Sequence, residues 1–349
     1  MGAEDRVDLA VYYPASRDLA AWRERHARGE APDLSPYGLD RLNGRAGHVE
    51  ARSLPADTVI PRITRRIARA TPAWMWRGAG PTGLVWDETS IDRLSAIPGL
   101  RARHSGVVWV TDQLACKDET WRRSRRAALR RMDALWVLSA AQIEPLRDFV
   151  GPGGPPVHHV LFGVDADFYT PAPLPDKPLI VSVGGDRDRD AETLFDALSI
   201  IRRERPDVDA VVQSTTTLTP PPGVSVVPYF THRELKSLYA RGSMTVIATR
   251  PNLHVSGMTV GLETMAAGRP VVITSSPGMD DYFGDTDAAR MTPPGRAREL
   301  AYAALDLLGD RATLEHAGRA ARAHVESNFT TDDLAERLAA VIGRGDETM

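Results

Sequence analysis

A helix-forming stretch, SGMTVGLETMAAG at residues 256–268, carries one glutamate, Glu263. Ser256 is a residue type that caps the start of a helix, and Gly268 is typical of a helix stop. The first N–H groups of this predicted helix belong to Gly257, Met258 and Thr259. Because such groups have no acceptor within the helix, and the helix dipole places positive charge at this end, they predict an anion site.

Glu263 lies seven residues after Ser256, almost two turns, and therefore on the same face about 10 Å further along. A phosphate at the helix start and a ribose near Glu263 would fit one nucleotide lying along this face. Alternatively, Glu263 is a solvated side chain and the helix only packs. The pattern leaves both interpretations open.

A second stretch with reactive side chains is GGDRDRD, at residues 184–190, which follows an apolar run typical of a buried strand. Gly184 and Gly185 would let the backbone approach a ligand closely. The acidic residues, spaced like a metal-binding Asp-x-Asp motif, are Asp186, Asp188 and Asp190. Arginines alternate with them and would compete with a cation for the carboxylates, so we expect no metal here.

The composition predicts a soluble globular protein, with 42% hydrophobic residues, 26% charged residues and a net charge of -3 over 349 residues. This length exceeds one ordinary core, so we expect two domains. MGAEDRVDLAVYY places acidic residues where a signal peptide needs a basic flank, and no membrane-spanning apolar run follows. We therefore expect a cytoplasmic protein. The single cysteine, Cys116, excludes an internal disulfide and a cysteine-built zinc site.

Apolar runs of strand length alternate with helix-like segments along the chain, which indicates parallel sheets. The runs are VDLAVYY, HVEARSL, GLVWDET, GVVWVTD, ALWVLS, VHHVLFGV, LIVSVGG, DAVVQS, SVVPYF, SMTVIAT, RPVVIT and AARMTP. We predict an α/β fold of two doubly wound, Rossmann-like domains, residues 1–168 and 169–330, with a helix at 331–349 packing back on the first domain. Ligands of such sheets bind beyond the carboxyl ends of the strands, so we expect the site in a cleft between the domains.

The run SGMTVGLETMAAGRPVVIT, followed by PGMDDYF, resembles the donor-site signature of family 4 retaining glycosyltransferases of the GT-B fold. DALWVLSAAQIEPL, FGVDADFYTP, LIVSVGGDRDRDAETLFDAL and FTHRELKSLYA agree with that family in order and spacing. The resemblance covers residues 130–345 well and the first 130 weakly. It implies a nucleotide-sugar donor on residues 169–330 and an acceptor on residues 1–168. Three lysines among 43 basic residues are typical of GC-rich bacterial, in particular actinobacterial, coding.

The resemblance also implies roles for individual residues. Glu263 would bind the ribose, and Arg189 would neutralise the leaving diphosphate, with Arg187 as the second candidate. The donor-binding residues are then Gly184, Gly185, Arg187, Arg189, Tyr229, His254, Ser256, Gly257, Met258, Thr259 and Glu263. The catalytic residues are Arg189, Glu263 and Asp112. Alternatively, the two arginines belong to a solvated, salt-bridged loop.

One departure from the family lies beside the predicted helix. The family usually carries a second glutamate eight positions before the first, and here that place is Val255. His254, beside it, could make the sugar contact instead, as could Ser256 and Thr259. His254 could equally be a histidine that only packs.

A second departure lies in the first half. Many members place a histidine after a strand of the N-terminal domain, whereas GVVWVTDQLACK presents Thr111, Asp112 and Gln113. Asp112 at the carboxyl end of a strand could bind the acceptor hydroxyl. It could equally cap a helix.

The segment WRRSRRAALRR, residues 121–131, contains six arginines. It could make a weak peripheral contact with anionic lipid or bind a phosphate-bearing acceptor, or it could be a solvated helix face. We expect no nucleic acid partner, because the net charge is negative and no stacking aromatics accompany the arginines.

We therefore predict a glycosyltransferase that moves a sugar from a nucleotide-diphosphate sugar to an acceptor hydroxyl, with retention and without a metal. It needs no cofactor besides this co-substrate. The acceptor would be a small molecule, a glycan or a lipid-linked molecule. Two alternatives remain: a catalytically impaired GT-B homologue that binds a sugar nucleotide, and a GT-B enzyme that couples a pseudo-sugar.

Overall fold

The computed structural model describes residues 7–56, 58–284 and 286–344. The chain divides into two compact units: unit 1 holds the described residues within 1–25, 33–161 and 334–349, and unit 2 those within 26–32 and 162–333. The boundary expected at 168/169 thus lies at 161/162 in this division. Each unit contains one six-stranded parallel sheet with helices, which confirms the two doubly wound sheets predicted from the alternating apolar runs.

The sheet of unit 1 has the strand order β2-β1-β3-β4-β5-β6. Its strands are β1 (Leu9–Tyr13), β2 (Val49–Ser53), β3 (Thr82–Val85), β4 (Arg103–Val107), β5 (Ala134–Val137) and β6 (Val157–His159). Its helices are α1 (Leu19–Ala27), α2 (Val59–Ala70), α3 (Ile91–Leu94), α4 (Val110–Ala115), α5 (Glu119–Leu129) and α6 (Ile143–Val150). β1, β3, β4 and β5 are buried along their whole lengths, as a parallel sheet covered on both faces requires.

The sheet of unit 2 has the strand order β12-β11-β10-β7-β8-β9. Its strands are β7 (Leu179–Ser182), β8 (Asp209–Gln213), β9 (Val224–Val227), β10 (Met244–Ile247), β11 (Val271–Thr274) and β12 (Ala289–Thr292). Its helices are α7 (Ala191–Glu204), α8 (His232–Arg241), α9 (Met258–Ala266), α10 (Asp280–Phe283), α11 (Ala297–Leu308) and α12 (Arg311–Asn328). The last helix, α13 (Thr331–Arg344), belongs to unit 1 from residue 334 on. Fully buried Ile180, Val246 and Leu300 belong to the core under this sheet.

Each apolar run predicted as a strand overlaps an observed strand. The run GVVWVTD differs most at its end, because β4 stops at Val107 and α4 begins at Val110. Asp112 therefore lies in the first turn of a short helix, and the prediction that it ends a strand is wrong. The expected cap is wrong too, since the residue before this helix is Trp109.

Among the helices of the described residues, none combines the length and the apolarity that a bilayer span requires. The 18-residue α12 carries charged side chains along its length.

Candidate functional site

All the predicted residues of unit 2 except Tyr229 lie at or near the carboxyl ends of the neighbouring strands β7 and β10. The loop after β7 contains GGDRDRD, and the loop after β10 leads into α9. Asp190 N donates to Ala248 O at 3.0 Å, and Arg250 N donates to Asp188 O at 2.8 Å. These bonds hold the two loops together, so segments about 60 residues apart form one surface.

The Arg189 guanidinium packs against two glycines. A Cβ at Gly184 would lie 2.4 Å from Nε and from Nη2 of Arg189, and a Cβ at Gly257 would lie 2.8 Å from Nη1. Both glycines have a positive φ, +139° and +95° respectively. They supply both the space that the guanidinium fills and backbone conformations that other residues rarely adopt.

The charge of Arg189 is poorly matched by the protein around it. Its Nε is buried and has no hydrogen-bond partner among the described residues. Burial lowers the pKa of Arg189, and attraction from Asp186 and Tyr239 opposes this effect. A buried guanidinium nitrogen without an acceptor is costly, and a bound anion would supply the missing acceptor.

Helix α9 begins at Met258, and its N-cap is Gly257, so the prediction that Ser256 caps this helix is wrong. Ser256 N donates to the Asn252 side chain at 3.0 Å, and the Ser256 hydroxyl is buried without a hydrogen-bond partner among the described residues. The reason is geometric: φ of +95° at Gly257 makes the turn into the helix one residue later than expected.

The N–H groups at the start of α9 are only partly available to an anion. Met258 N donates to Val255 O at 3.0 Å, so the predicted anion site depends on the N–H groups of Gly257 and Thr259. At the other end, Gly268 has φ +70° and follows the last turn, which confirms it as the helix stop.

Val255, at the place of the family's other glutamate, is 1% exposed and has φ +49°. A left-handed backbone is unusual for a β-branched residue and costs roughly 1–3 kcal/mol. Val255 therefore shapes the turn before α9 and offers no polar side chain at this place.

Glu263, on α9, is not a solvated surface residue. The Tyr239 hydroxyl donates to Glu263 Oε2 at 3.0 Å. Burial raises the pKa of Glu263 to about 7, although the hydroxyls of Tyr239 and Tyr169 lower it in part. Glu263 lies five residues after Met258, the first residue of α9, which is about 7–8 Å along the helix. It is therefore closer to the helix start than the distance of about 10 Å expected for a helix capped by Ser256.

Tyr239 and Tyr169, which the sequence pattern did not single out, lie beside Glu263, and Tyr239 also interacts with Arg189. Their rings are 5.8 Å apart, and both side chains are 1% exposed. Burial and the Glu263 carboxylate raise the pKa of Tyr239 well above its ordinary value, while Arg189 lowers it. The helical spacing of LKSLYA could have placed Tyr239 on a buried face, where its hydroxyl needs a partner.

Two of the three aspartates of GGDRDRD lie next to His254, and the third caps a helix. His254 Nε2 lies 3.1 Å from Asp186 Oδ2 and 3.6 Å from Asp188 Oδ2. Burial raises the pKa of Asp186, but hydrogen bonds from His254 and the backbone leave it below its ordinary value. Asp190 instead caps α7 by accepting from Thr193 N at 3.1 Å.

The ligand atoms of Asp186, Asp188 and His254 lie within 4.8 Å of one another and could hold a metal ion. This set differs from the three aspartates considered in the sequence. Arg187 Nε lies 3.3 Å from Asp188 Oδ2, so one competing arginine is present, as expected.

Three of the predicted donor residues are exposed. A Cβ at Gly185 would meet nothing within 4 Å, and the Arg187 side chain is 50% exposed. Tyr229 is 66% exposed and follows the edge strand β9, two strands away from β7. A role for Tyr229 therefore stays a prediction.

In unit 1, Asp112 accepts a backbone hydrogen bond from Cys116 N at 3.0 Å through its carbonyl oxygen. The next residue, Gln113, is fully buried, and neither of its amide atoms has a hydrogen-bond partner among the described residues. Acceptor binding by Asp112 stays a prediction.

The six arginines of residues 121–131 all donate to backbone carbonyls in unit 1. The acceptors include the carbonyls of Gln113, Glu119, Glu88, Phe149, Val150 and Thr71. These bonds give the guanidinium groups a structural role, and a membrane contact through this helix stays a prediction.

One known protein family matches a segment of this chain, and that segment lies within unit 2. Residues 177–310 match the family described as Glycosyl transferases group 1. The chain is 24% identical to glycogen synthase of Mycobacterium tuberculosis over 285 aligned residues. This alignment covers 76% of the chain. It spans 66% of the length of that relative.

Solved structures match nearly the whole chain. Sucrose-phosphate synthase from Thermosynechococcus elongatus has a TM-score of 0.69 at 17% identity, covering 99% of this chain and 100% of that one. Anabaena HepE in complex with UDP and glucose has a TM-score of 0.67 at 13% identity, covering 97% and 100%. The fold is therefore GT-B, as predicted, and the matched domain supports a glycosyltransferase.

Proposed function

We propose that this chain is a retaining glycosyltransferase that moves a sugar from a nucleotide-diphosphate sugar to an acceptor hydroxyl. The observation that carries the proposal is the Arg189 guanidinium, which is held between Gly184 and Gly257 at the start of α9. Its buried Nε has no partner among the described residues, as expected of a group whose partner is a ligand.

The chemical need for this arrangement is electrostatic. As the bond between sugar and phosphate breaks, negative charge grows on the diphosphate. Arg189 and the N–H groups at the start of α9 would stabilise that charge, because they are already oriented before the reaction begins. By family resemblance, the leaving phosphate itself takes the proton of the acceptor hydroxyl, so we assign no side-chain base.

Glu263 would fix the other end of the nucleotide. An ionised Glu263 can accept hydrogen bonds from both ribose hydroxyls, and the Tyr239 hydroxyl orients the carboxylate from the side. The HepE structure contains UDP, so UDP is the first nucleotide to test.

We further propose that the reaction needs no metal, because Arg189 supplies positive charge next to the diphosphate. If a metal were required, Asp186, Asp188 and His254 would be its ligands. We assign acceptor recognition to unit 1. A glycan is the first class of acceptor to test, since the curated relative is a glycogen synthase.

Val255 favours a second candidate, a homologue that binds a sugar nucleotide without transferring sugar. Its buried apolar side chain leaves the place of the second glutamate without a carboxylate. The two candidates agree on nucleotide binding and differ on turnover.

One pair of measurements tests both functions. UDP, ADP, GDP and dTDP are added to the purified chain, and the melting temperature is recorded; a ligand that binds the folded state raises it. Release of nucleotide from the matching sugar donors is then measured, and the anomeric configuration of the product is read by NMR. Binding with turnover and a retained anomer supports the first proposal. Binding without turnover supports the second, and no stabilisation by any nucleotide contradicts both.

A further inference from the structure

A cavity of about 380 Å³ lies in unit 2, between the segment that precedes β7 and helix α12. Sites for small molecules have volumes of roughly 300–1,000 Å³. Gly268 and Arg269 line the cavity just beyond the end of α9, whereas Arg189 lies at the start of that helix. The charged residues of the lining, none of which belongs to the candidate donor site, are Arg269, Arg311, Glu315, Arg319, Arg322 and Glu326.

Two of these arginines fix the segment on one side of the cavity. Residues 171–175, PAPLP, form neither helix nor strand, so their carbonyls need donors from other parts of the chain. Arg269 donates to Ala172 O at 2.8 Å and to Pro173 O at 3.0 Å. Arg311 donates to the carbonyls of the next two residues at 3.3 and 3.4 Å. These bonds hold one wall of the cavity in place.

Arg322, on α12, makes structural bonds with only part of its guanidinium. Its Nη1 donates to Tyr169 O at 2.8 Å and to the carbonyl of Ala266, the last residue of α9, at 2.7 Å. Its Nε bonds Glu326 Oε1 at 2.7 Å. The Nη2 group has no hydrogen-bond partner among the residues that the structure describes. Its N–H donors are therefore available to a ligand.

Two arginines of the cavity have no carboxylate partner in the described part of the chain. The two glutamates pair with Arg311 and Arg322, at 3.0 and 2.7 Å. Arg269 is 3% exposed, and its buried Nε has no hydrogen-bond partner among the described residues. Arg319 is exposed and makes no hydrogen bond or ion pair with any described residue. It lies three residues before Arg322, on the same face of α12, so both side chains reach one ligand.

We propose that this cavity, here named the α12 cavity, binds the phosphate group of a small phosphorylated molecule, and that Arg319 and Arg322 hold it. Guanidinium groups bind phosphate through pairs of parallel N–H donors, and the oxygens of one phosphate can accept from two arginines at once. The volume leaves space for the organic part of the molecule. The described residues of the lining include no aromatic side chain that would stack on a base, so the ligand is not a second nucleotide.

The test is calorimetric titration of the full chain carrying Arg189→Ala, which removes the other arginine expected to bind phosphate. The probes are inorganic phosphate, glucose 1-phosphate and glucose, in a buffer free of phosphate. We expect one equivalent of each phosphate compound to bind, more weakly as salt is added, and glucose not to bind. Equal affinities would assign the site to phosphate itself, and tighter binding of the ester would assign it to a sugar phosphate.

Arg319→Gln, added to this chain, should weaken binding of both phosphate compounds roughly tenfold or more, because it removes a charged donor. Arg319→Lys should weaken binding less, since it keeps the charge and loses only the paired donors. Arg319 has no partner among the described residues, so the melting temperature without ligand should be the same in these variants. Weaker binding is then not a result of unfolding.

Matched control variants decide whether the α12 cavity is the site. Arg203→Gln and Arg298→Gln each change an exposed arginine that lines a separate cavity of unit 2, and both should bind as the parent does. No binding of either phosphate compound, unchanged binding in Arg319→Gln, or an equal loss in Arg298→Gln would each overturn the proposal. So would binding that Arg189→Ala abolishes, because the phosphate would then lie at the candidate donor site. The readout needs neither nucleotide nor turnover, so its failure is distinct from failure of the proposed function.

Discussion

Arg189 and Gly257 occupy adjoining space, because a side chain at Gly257 would begin 2.8 Å from Nη1 of Arg189. Gly184 constrains the same guanidinium from the loop after β7. The position of one arginine therefore depends on two glycines from different loops.

Gly184→Ala and Gly257→Ala should each displace the Arg189 guanidinium and weaken nucleotide binding. The added Cβ would overlap the arginine, and alanine is strained at the positive φ of either position. We expect the free energy of unfolding to fall by about 1–3 kcal/mol, measured by urea denaturation. Gly185→Ala is the matched control for stability, because its Cβ would meet nothing within 4 Å. Equal stability of all three variants would contradict the assigned packing.

Arg189→Ala should lower kcat and kcat/KM together, by roughly a hundredfold or more, because its charge matters most as the diphosphate leaves. Steady-state kinetics measure this, and urea denaturation should show little loss of stability, since Arg189 Nε has no protein partner among the described residues. Arg187→Ala is the control from the same loop; its side chain is 50% exposed and should affect the rate far less. An unchanged rate for Arg189→Ala would support the alternative that this loop is a solvated, salt-bridged surface.

Activity should survive exhaustive chelation, because Arg189 and backbone amides supply positive charge to the diphosphate. Turnover is measured after dialysis against EDTA, and again after adding Mg²⁺ or Mn²⁺. The variant His254→Gln extends the test by removing one of the three side chains that could hold a cation. If a cation restores lost activity to the parent but not to this variant, the loop is a metal site and the assignment to Arg189 is wrong.

The strands were predictable because each is a short apolar run between turn residues, and burial in a parallel sheet requires that pattern. The end of β4 was not predictable, since VVWVTD is as apolar as a strand although it enters helix α4 at Val110. Hydrophobic periodicity cannot separate a buried strand from the first turn of a buried helix.

The candidate site, too, was only partly predictable from the sequence. Arg189 and Glu263 could be singled out because a charged residue follows a strand or lies in an otherwise apolar helix. Their partners could not, since nothing local links Tyr239 to Glu263 or His254 to Asp186. The contact of His254 with Asp186 arises because β7 and β10 are neighbours in the sheet, which brings together loops that are distant in sequence. The contact of Tyr239 with Glu263 joins α8 and α9, the helices before and after β10. The sequence could show that Val255 replaces the family's second glutamate. It could not show the positive φ of Val255, because that angle is set by the turn before α9.

The contribution of Glu263 to the stability of the unliganded protein should fall as pH rises from about 4.5 to 7. Folding raises the pKa of Glu263 from 4.5 to about 7, so the folded state keeps a proton that the unfolded chain has released in this window. The charged carboxylate then costs about 3 kcal/mol above pH 7. Glu263→Gln should therefore gain stability relative to the parent as pH rises, measured by urea denaturation at pH 5 and pH 8. Glu88 in unit 1 also has a pKa raised to about 7 by burial, but it is present in both proteins and cancels in the difference. A difference that does not change with pH would show that Glu263 is ionised throughout.

Nucleotide binding should show the opposite pH dependence, because only the ionised Glu263 carboxylate can accept hydrogen bonds from both ribose hydroxyls. Affinity of the parent for UDP should rise as pH passes through about 7, the pKa of Glu263. At pH 8, Glu263→Gln should bind UDP roughly ten- to a hundredfold more weakly, since each hydrogen bond to a charged acceptor is worth about 1.5–3 kcal/mol.

Calorimetric titration at pH 6 and pH 8 measures both effects, and 2′,3′-dideoxy-UDP separates them from titration of the phosphates, which it shares with UDP. The dideoxy nucleotide should already bind the parent poorly and lose little more in the variant. Equal binding of UDP by parent and variant would place the ribose away from Glu263.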